Sequence, residues 1–264
     1  MNIFLREVKA NFRSLLIWGV VVFMFVWIGF SKFSAYEGNP ELLRVLDGIP
    51  PAMLEAFSFN TFNLTTITGF FGVMFNYFAL MLASAAVMWG ADVITKEERD
   101  KTVEFSLTMP VRRSKVVTAK TLATLVNCIG LLLITWGAVL LFAQGYETNS
   151  EFFRFVGNSM AAIFMLQLIF LAIGVLLGSA MKHYKRAGSL GLSILLTTYV
   201  VSVIAGLGKD FENLKYVTPF KYFDPAGLLI NQEVPMNFVW LSLGIILVLM
   251  VLAYRSYAKR DLMI

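Results

Sequence analysis

Six long stretches without Asp, Glu, Lys or Arg dominate this sequence and limit the folds open to it. They cover residues 14–31, 56–91, 121–146, 155–181, 187–208 and 234–254, which together make 150 of the 264 positions. A helix that crosses the hydrocarbon core of a bilayer needs about 20 apolar residues. Each stretch is therefore long enough to cross a membrane once.

Composition favours a membrane protein over a soluble one. Hydrophobic residues make up 58% of the chain and charged residues 15%, and the mean hydropathy is +0.73, which is unusual for a globular domain. The first stretch is too long for a signal-peptide core and precedes no cleavage site, so we interpret it as a retained span. We predict an all-α membrane protein with a single transmembrane domain over residues 1–264 and six spans, near 14–33, 67–91, 117–143, 155–181, 187–207 and 236–254.

The distribution of basic residues indicates the orientation. If the amino terminus is cytoplasmic, the inside segments contain 16 of the 22 Lys and Arg residues. Short cytoplasmic loops are enriched in Lys and Arg, so we predict a multi-pass plasma-membrane protein with both termini in the cytoplasm. This sidedness also explains the net charge of +5 without a nucleic-acid partner.

Segments outside the spans are predicted to form short surface helices. In residues 1–13, apolar side chains share one helical face and the opposite face carries Arg6, Lys9 and Arg13. This pattern predicts an interfacial amphipathic helix, with an unstructured basic tail as the alternative. Residues 39–57 predict two short extracellular helices, and residues 208–235, rich in aromatics and proline, predict an extracellular re-entrant or surface segment.

The loop between the second and third spans is unusually rich in charge. Residues 95–115 hold 10 of the chain's 39 charged residues. Good helix formers fill residues 96–107, and a helix ends at Met109 because a residue before proline avoids the helical conformation. We predict a short helix and a turn, with an ordinary solvated loop as the alternative.

Several residues within the spans suggest specific roles. Gly174-x-x-x-Gly178 and Ala86-x-x-x-Gly90 predict close helix contacts. Lys120 is expected to snorkel to the inner surface. An aromatic stripe on the second span and polar positions on the fifth predict a translocation route, with ordinary helix packing as the alternative: Phe71, Phe75 and Phe78, and Ser193, Thr197 and Ser202.

The sequence contains no catalytic or cofactor motif that we can identify. It lacks a GxxxxGK[ST] phosphate loop, an HExxH zinc motif and a GxSxG nucleophile motif. The spans contain almost no Asp or Glu, whereas proton-coupled carriers need ionisable groups at depth. We therefore predict a non-enzymatic transport protein that binds no cofactor or metal and takes its energy from an external motor.

The charged loop carries a family resemblance. Residues 95–120, TKEERDKTVEFSLTMPVRRSKVVTAK, resemble the signature of the permeases of type-2 ABC exporters (ABC-2 type). That signature has an acidic-basic cluster, Gly-Thr-x-Glu, two apolar residues, a Pro-x-x-Arg turn and a lysine that opens the third span. The matches are Glu97 or Glu98, Thr102, Glu104, Phe105, Leu107, Pro110, Arg113 and Lys120. Lys101, Ser106 and Arg112 depart from it, since glycine, leucine and serine are common there.

The resemblance implies a permease subunit of a bacterial plasma membrane. Such a subunit pairs with a second permease, identical or different, and with two ABC ATPase subunits that bind ATP and Mg. The loop over residues 92–116 would contain a coupling helix, and the first, second and fifth spans would shape an export route for a peptide, toxin, drug or lipid. A scaffold or passive channel without an ATPase is the alternative. The implied docking residues are Lys96, Glu97, Glu98, Arg99, Thr102, Glu104, Phe105, Pro110 and Arg113.

Overall fold

A computed structural model describes residues 3–39, 62–100, 111–181, 183–207 and 209–260. Their helices, in chain order, are α1 (Ile3–Phe33), α2 (Ile67–Arg99), α3 (Arg113–Ala143), α4 (Ser150–Ala180), α5 (Tyr184–Ala205), a 3-10 helix (Lys209–Tyr216), α6 (Pro219–Tyr222), α7 (Pro225–Asn231) and α8 (Met236–Lys259). Six of these helices are long and apolar enough to cross a membrane. The prediction of an all-α membrane protein with six spans is confirmed.

Helices α2 and α4 form the centre of the bundle. Both are largely buried, whereas α1, α3, α5 and α8 pack around them and expose much of their apolar surface. Helix α1 lies against α3, α5 lies against α2 and α4, and α8 lies mainly against α4. Exposed apolar side chains such as Ile17 and Trp240 suit contact with lipid tails.

Small residues bring α2 and α4 into backbone contact. A Cβ on Gly174 would lie 2.3 Å from the carbonyl oxygen of Val87, and a Cβ on Gly90 would lie 2.6 Å from that of Leu171. Separations below 3.0 Å are steric overlaps. The predicted close contacts at Gly90 and Gly174 are confirmed, and they make α2 and α4 a tightly joined pair.

Helix α1 runs from the amino-terminal region through the first span without a break. Its 31 residues extend about 46 Å at 1.5 Å per residue, which exceeds a hydrocarbon core of about 30 Å. Residues 3–13 of the predicted interfacial helix are thus the first part of α1, not a separate element. Lys9 and Arg13 are exposed, but Arg6 turns to the protein and pairs with Glu97.

We call the end of the bundle where α2 finishes at Arg99 and α3 begins at Arg113 the loop end. At the opposite end, the 3-10 helix and α6 lie against α5, and α7 lies against α2 and α4. Tyr222 stacks on Phe238 with ring centroids 5.2 Å apart, and its hydroxyl donates to the carbonyl of Tyr216 at 2.7 Å. Burial raises the pKa of Tyr222. Residues 40–61, which include most of the predicted helices over 39–57, lie outside the described residues.

Candidate functional site

The last turn of α2 carries four predicted docking residues. Lys96, Glu97, Glu98 and Arg99 continue the helix of the second span, and Asp100 is its C-cap. The sequence analysis placed these four in a separate short helix, so for this part of the chain that expectation is wrong. Thr102, Glu104, Phe105 and Pro110 lie outside the described residues, as does the rest of the predicted coupling helix.

Glu97 joins α2 to α1 and α3. Its Oε1 accepts a hydrogen bond from Arg6 at 3.3 Å and lies 3.2 Å from Nζ of Lys120. The Lys120 side chain is fully buried, and its Nζ also donates to the carbonyl of Val93 at 2.7 Å. The expectation that Lys120 snorkels to the membrane surface is wrong, because its ammonium finds an acidic partner and a carbonyl inside the bundle.

A second acidic residue strengthens the link between α1 and α2. Glu7 is 2% exposed, and its two carboxylate oxygens lie 3.1 Å from Arg6 and 3.4 Å from Lys96. Glu7 and Glu97 thus share the positive charges of Arg6, Lys96 and Lys120. This sharing meets the requirement that a buried charge have an opposite partner.

Arg260 makes a separate connection at the loop end. Its Nη2 donates to Oε2 of Glu98 at 2.7 Å, and both side chains are 6% exposed. Its Nη1 donates to the carbonyl of Gly178, near the end of α4. The residue that follows α8 is therefore held to the ends of both α2 and α4.

Arg113, the first residue of α3, binds the end of α8. Its Nη1 donates to the carbonyls of Tyr257, Ala258 and Arg260 at 3.3, 3.1 and 2.7 Å. Carbonyls at the end of a helix have no partner within the helix, and a cation there also interacts favourably with the helix dipole. Arg113 therefore caps α8 while it opens α3.

These contacts change the interpretation of the predicted docking residues. Glu97, Glu98 and Arg113 are occupied by partners within the chain, and removing one member of a buried ion pair costs about 3–5 kcal/mol because the other charge is left unpaired. Arg99 has a 45% exposed side chain, and its ion-pair partners among the described residues are the exposed Asp92 and the adjacent Asp100. Arg99 is therefore more open to a partner protein than Lys96, Glu97 or Glu98.

The aromatic half of the predicted translocation route lies in the protein core. Phe71, Phe75 and Phe78 are at most 1% exposed, and the Phe71 ring lies 5.4 Å from that of Phe155 on α4. They fill the interface between packed helices of the single chain, and their assignment to a translocation route stays a prediction.

The three polar residues of the predicted route differ in exposure. Ser193 and Thr197 are exposed on α5. Ser202 is buried and donates to the carbonyl of Tyr199 at 2.6 Å. Only Ser193 and Thr197 therefore have a position that a passing substrate could reach.

Sequence analysis missed two members of the ion-pair network, Glu7 and Arg260. It counted Arg260 only as a basic residue near a span end and gave Glu7 no role. One signal was available on α3, where Lys120, Thr124 and Asn127 are spaced four and three residues apart and all lie buried. Polar residues at that spacing on an apolar helix share one face, and they mark a face that turns toward the protein.

A cavity of about 630 Å³ lies at the opposite end, where α2 and α4 begin. Its lining includes the carboxylates of Glu37, Glu147 and Glu151. Burial, and to a smaller extent the charge of Glu37, raises the pKa of nearby Tyr146. Within the described part of the chain, no group of three or more His, Cys, Asp or Glu side chains is arranged to hold a metal ion, and we assign the cavity no ligand.

Comparison with known proteins gives one informative result. Residues 1–262 match the model of the family described as ABC-2 family transporter protein. No curated protein matches the chain.

Proposed function

This chain belongs to the ABC-2 transporter family, and from that premise we propose that it is the permease subunit of an ATP-driven exporter. A transporter membrane subunit has no ATPase site of its own, so the energy comes from separate ABC ATPase subunits. The proposed docking element is the segment that connects Arg99 to Arg113, on the cytoplasmic side.

One observation carries the proposal. The last turn of α2 ends at this segment, and its charged residues form ion pairs with α1, α3 and the end of α8, of which the pairs to Lys120 and Arg260 are largely buried. A force applied to the segment therefore reaches four helices through short, well-satisfied contacts. An ordinary solvated loop has no need of such an attachment.

The proposed mechanism uses α2 as a rigid lever. ATP-driven closure of two docked ATPase subunits displaces the segment after Arg99. Because Gly90 and Gly174 lock α2 to α4 at backbone distance, the two helices move together. Their motion opens a route outward between this permease and a second copy or a related permease.

The exposed faces of α1 and α5 suit the proposed route. Both helices present large apolar side chains, such as Val20 and Val200, to the surroundings of the single chain. Ser193 and Thr197 add hydroxyl groups to the exposed side of α5. We propose that a hydrophobic or amphipathic substrate, such as a peptide, toxin, drug or lipid, passes along these faces.

A charge reversal in the docking segment tests the proposal. Glu104→Lys is expected to weaken retention of the ATPase at least about tenfold, because like charges then face each other across the docking surface. The measurement is the amount of ATPase, identified by its GxxxxGK[ST] sequence, that co-purifies with the tagged protein from native membranes. Glu98 is unsuitable for this test because it pairs with Arg260 inside the bundle.

Glu233→Lys is the matched control. Glu233 is exposed between α7 and α8 at the opposite end, so the same change in net charge should leave ATPase retention at the wild-type level. Equal retention by the Glu104 and Glu233 variants, or no such ATPase with the wild-type protein, would contradict the proposal.

A further inference from the structure

We propose that Arg260 is a positioning residue that fixes the separation between the two ends of the docking segment, because it fastens the end of α8 to Glu98 on α2 and to Arg113 on α3. The inference rests on the proposed function for the role of the segment. The clamp itself consists of described contacts: Arg260 with Glu98 on one side, and Arg113 with the end of α8 on the other.

The two sides of the clamp hold the two ends of the same segment. Glu98 lies one residue before the end of α2, and Arg113 is the first residue of α3. The guanidinium of Arg260 holds the outgoing end, and its backbone carbonyl accepts from Arg113 at the returning end. One residue therefore connects both ends of the segment.

The ion pair of Glu98 and Arg260 is more buried than the neighbouring ion pair at the loop end. Glu98 and Arg260 have side chains only 6% exposed, whereas the ion pair of Arg99 and Asp92 has side chains more than 40% exposed. Exposed ion pairs contribute little because water competes for both charges. The Arg260 side chain also reaches Gly178 on α4, so the two terminal nitrogens of its guanidinium contact two different helices.

The clamp gives α8 a role in coupling. Helix α8 rests mainly on α4 and exposes most of its length, so it contributes little to the packed centre. Its end nevertheless determines how far apart the ends of α2 and α3 stand. A change in the position of α8 therefore alters the presentation of the segment to the ATPase.

The test compares Arg260→Gln with Lys259→Gln. Lys259 is the adjacent residue and is exposed, so both variants lose one positive charge at the same place in the chain. Spin labels at Asp100 and Ser114, both exposed, report the distance between the two ends of the segment. The native Cys128 is fully buried and is replaced by alanine. The sample is the complete complex with its ATPase in vesicles of phosphatidylethanolamine and phosphatidylglycerol.

We expect Arg260→Gln to broaden the distance distribution and to change ATP hydrolysis by the complex about two- to thirtyfold, the range for residues within a coupling network. Lys259→Gln should match the wild type in both measurements. Arg260→Lys should recover part of the effect, since an ammonium keeps the charge that pairs with Glu98 but has one nitrogen in place of the two that contact Gly178 and Glu98. Identical distance distributions in the two glutamine variants overturn the proposal.

The clamp can be tested even if the proposed function fails or if Arg260→Gln does not accumulate. If the wild-type protein binds no ATPase, the exporter function fails, and the label distance in the permease alone still tests the clamp. If Arg260→Gln does not accumulate, the double variant Glu98→Gln with Arg260→Gln leaves no unpaired buried charge. It is expected to show the broadened distribution, and a wild-type distribution there also overturns the proposal.

Discussion

Replacing Gly174 with leucine is expected to separate α2 from α4 and to lower the thermal stability of the folded protein. Any Cβ at this position meets the Val87 carbonyl oxygen at 2.3 Å and the Ala91 nitrogen at 3.0 Å. Both are backbone atoms, so no side-chain rotation relieves the overlap. Overpacking of a dense core costs about 1–3 kcal/mol when side chains can adjust, and we expect about 3 kcal/mol or more here. The measurement is the folded fraction in detergent after heating.

Gly157→Leu is the control on the same helix. A Cβ at Gly157 meets nothing within 4 Å, so leucine there should leave the thermal midpoint close to that of the wild type. The comparison separates the close approach of two backbones from the general effect of adding a large side chain to α4. A Gly174 variant as stable as the Gly157 variant would show that α2 and α4 are not in backbone contact.

The six spans could be predicted from sequence because a bilayer imposes a simple requirement. Backbone polar groups in hydrocarbon must be satisfied within the segment, so long uncharged stretches form helices. The same reasoning found the contact at Gly174, since small residues four apart allow close approach. The continuity of α1 was not predicted. The charges at Arg6 and Lys9 suggested that a separate helix ends before the first span, whereas α1 continues through both parts.

The ion-pair network could not be predicted, because the sequence shows which residues are charged but not which of them pair. Glu97 pairs with Arg6, 91 positions away, and Glu98 pairs with Arg260, 162 positions away. Which acid meets which base depends on the rotation and depth of each helix, and these follow from packing. Hydropathy sets only the length of a span. For that reason Lys120 was expected at a surface, and Glu98 was expected to face a partner protein.

The contacts of the aromatic residues of α2 could not be predicted for the same reason. Spacing placed Phe71, Phe75 and Phe78 on one face but could not say what that face meets. In the structure it meets other rings, including Phe152 and Phe155. Apolar side chains suit lipid, a substrate route and a protein core equally well. Position in the bundle, which composition does not reveal, decides among the three.

Replacing Lys120 with methionine is expected to destabilise the loop end by about 3 kcal/mol, the lower end of the range for breaking a buried ion pair. The lower end applies because Glu97 keeps Arg6 as a partner and is 14% exposed. The thermal midpoint of the purified protein measures the loss. Lys115→Met, an exposed position one turn earlier on α3, is the control and should leave the midpoint near the wild-type value.

The double variant Glu97→Gln with Lys120→Met decides between an electrostatic and a purely steric role for Lys120. Removing both charges leaves no unpaired acid opposite the new methionine, so the double variant avoids the cost of a buried charge without a partner. We therefore expect the double variant to be more stable than Lys120→Met alone, with an interaction energy of about 0.5–3 kcal/mol in the cycle. If the two single effects simply add, Glu97 and Lys120 are not energetically coupled, and the connection from the docking segment to α3 has to run through Arg113 instead.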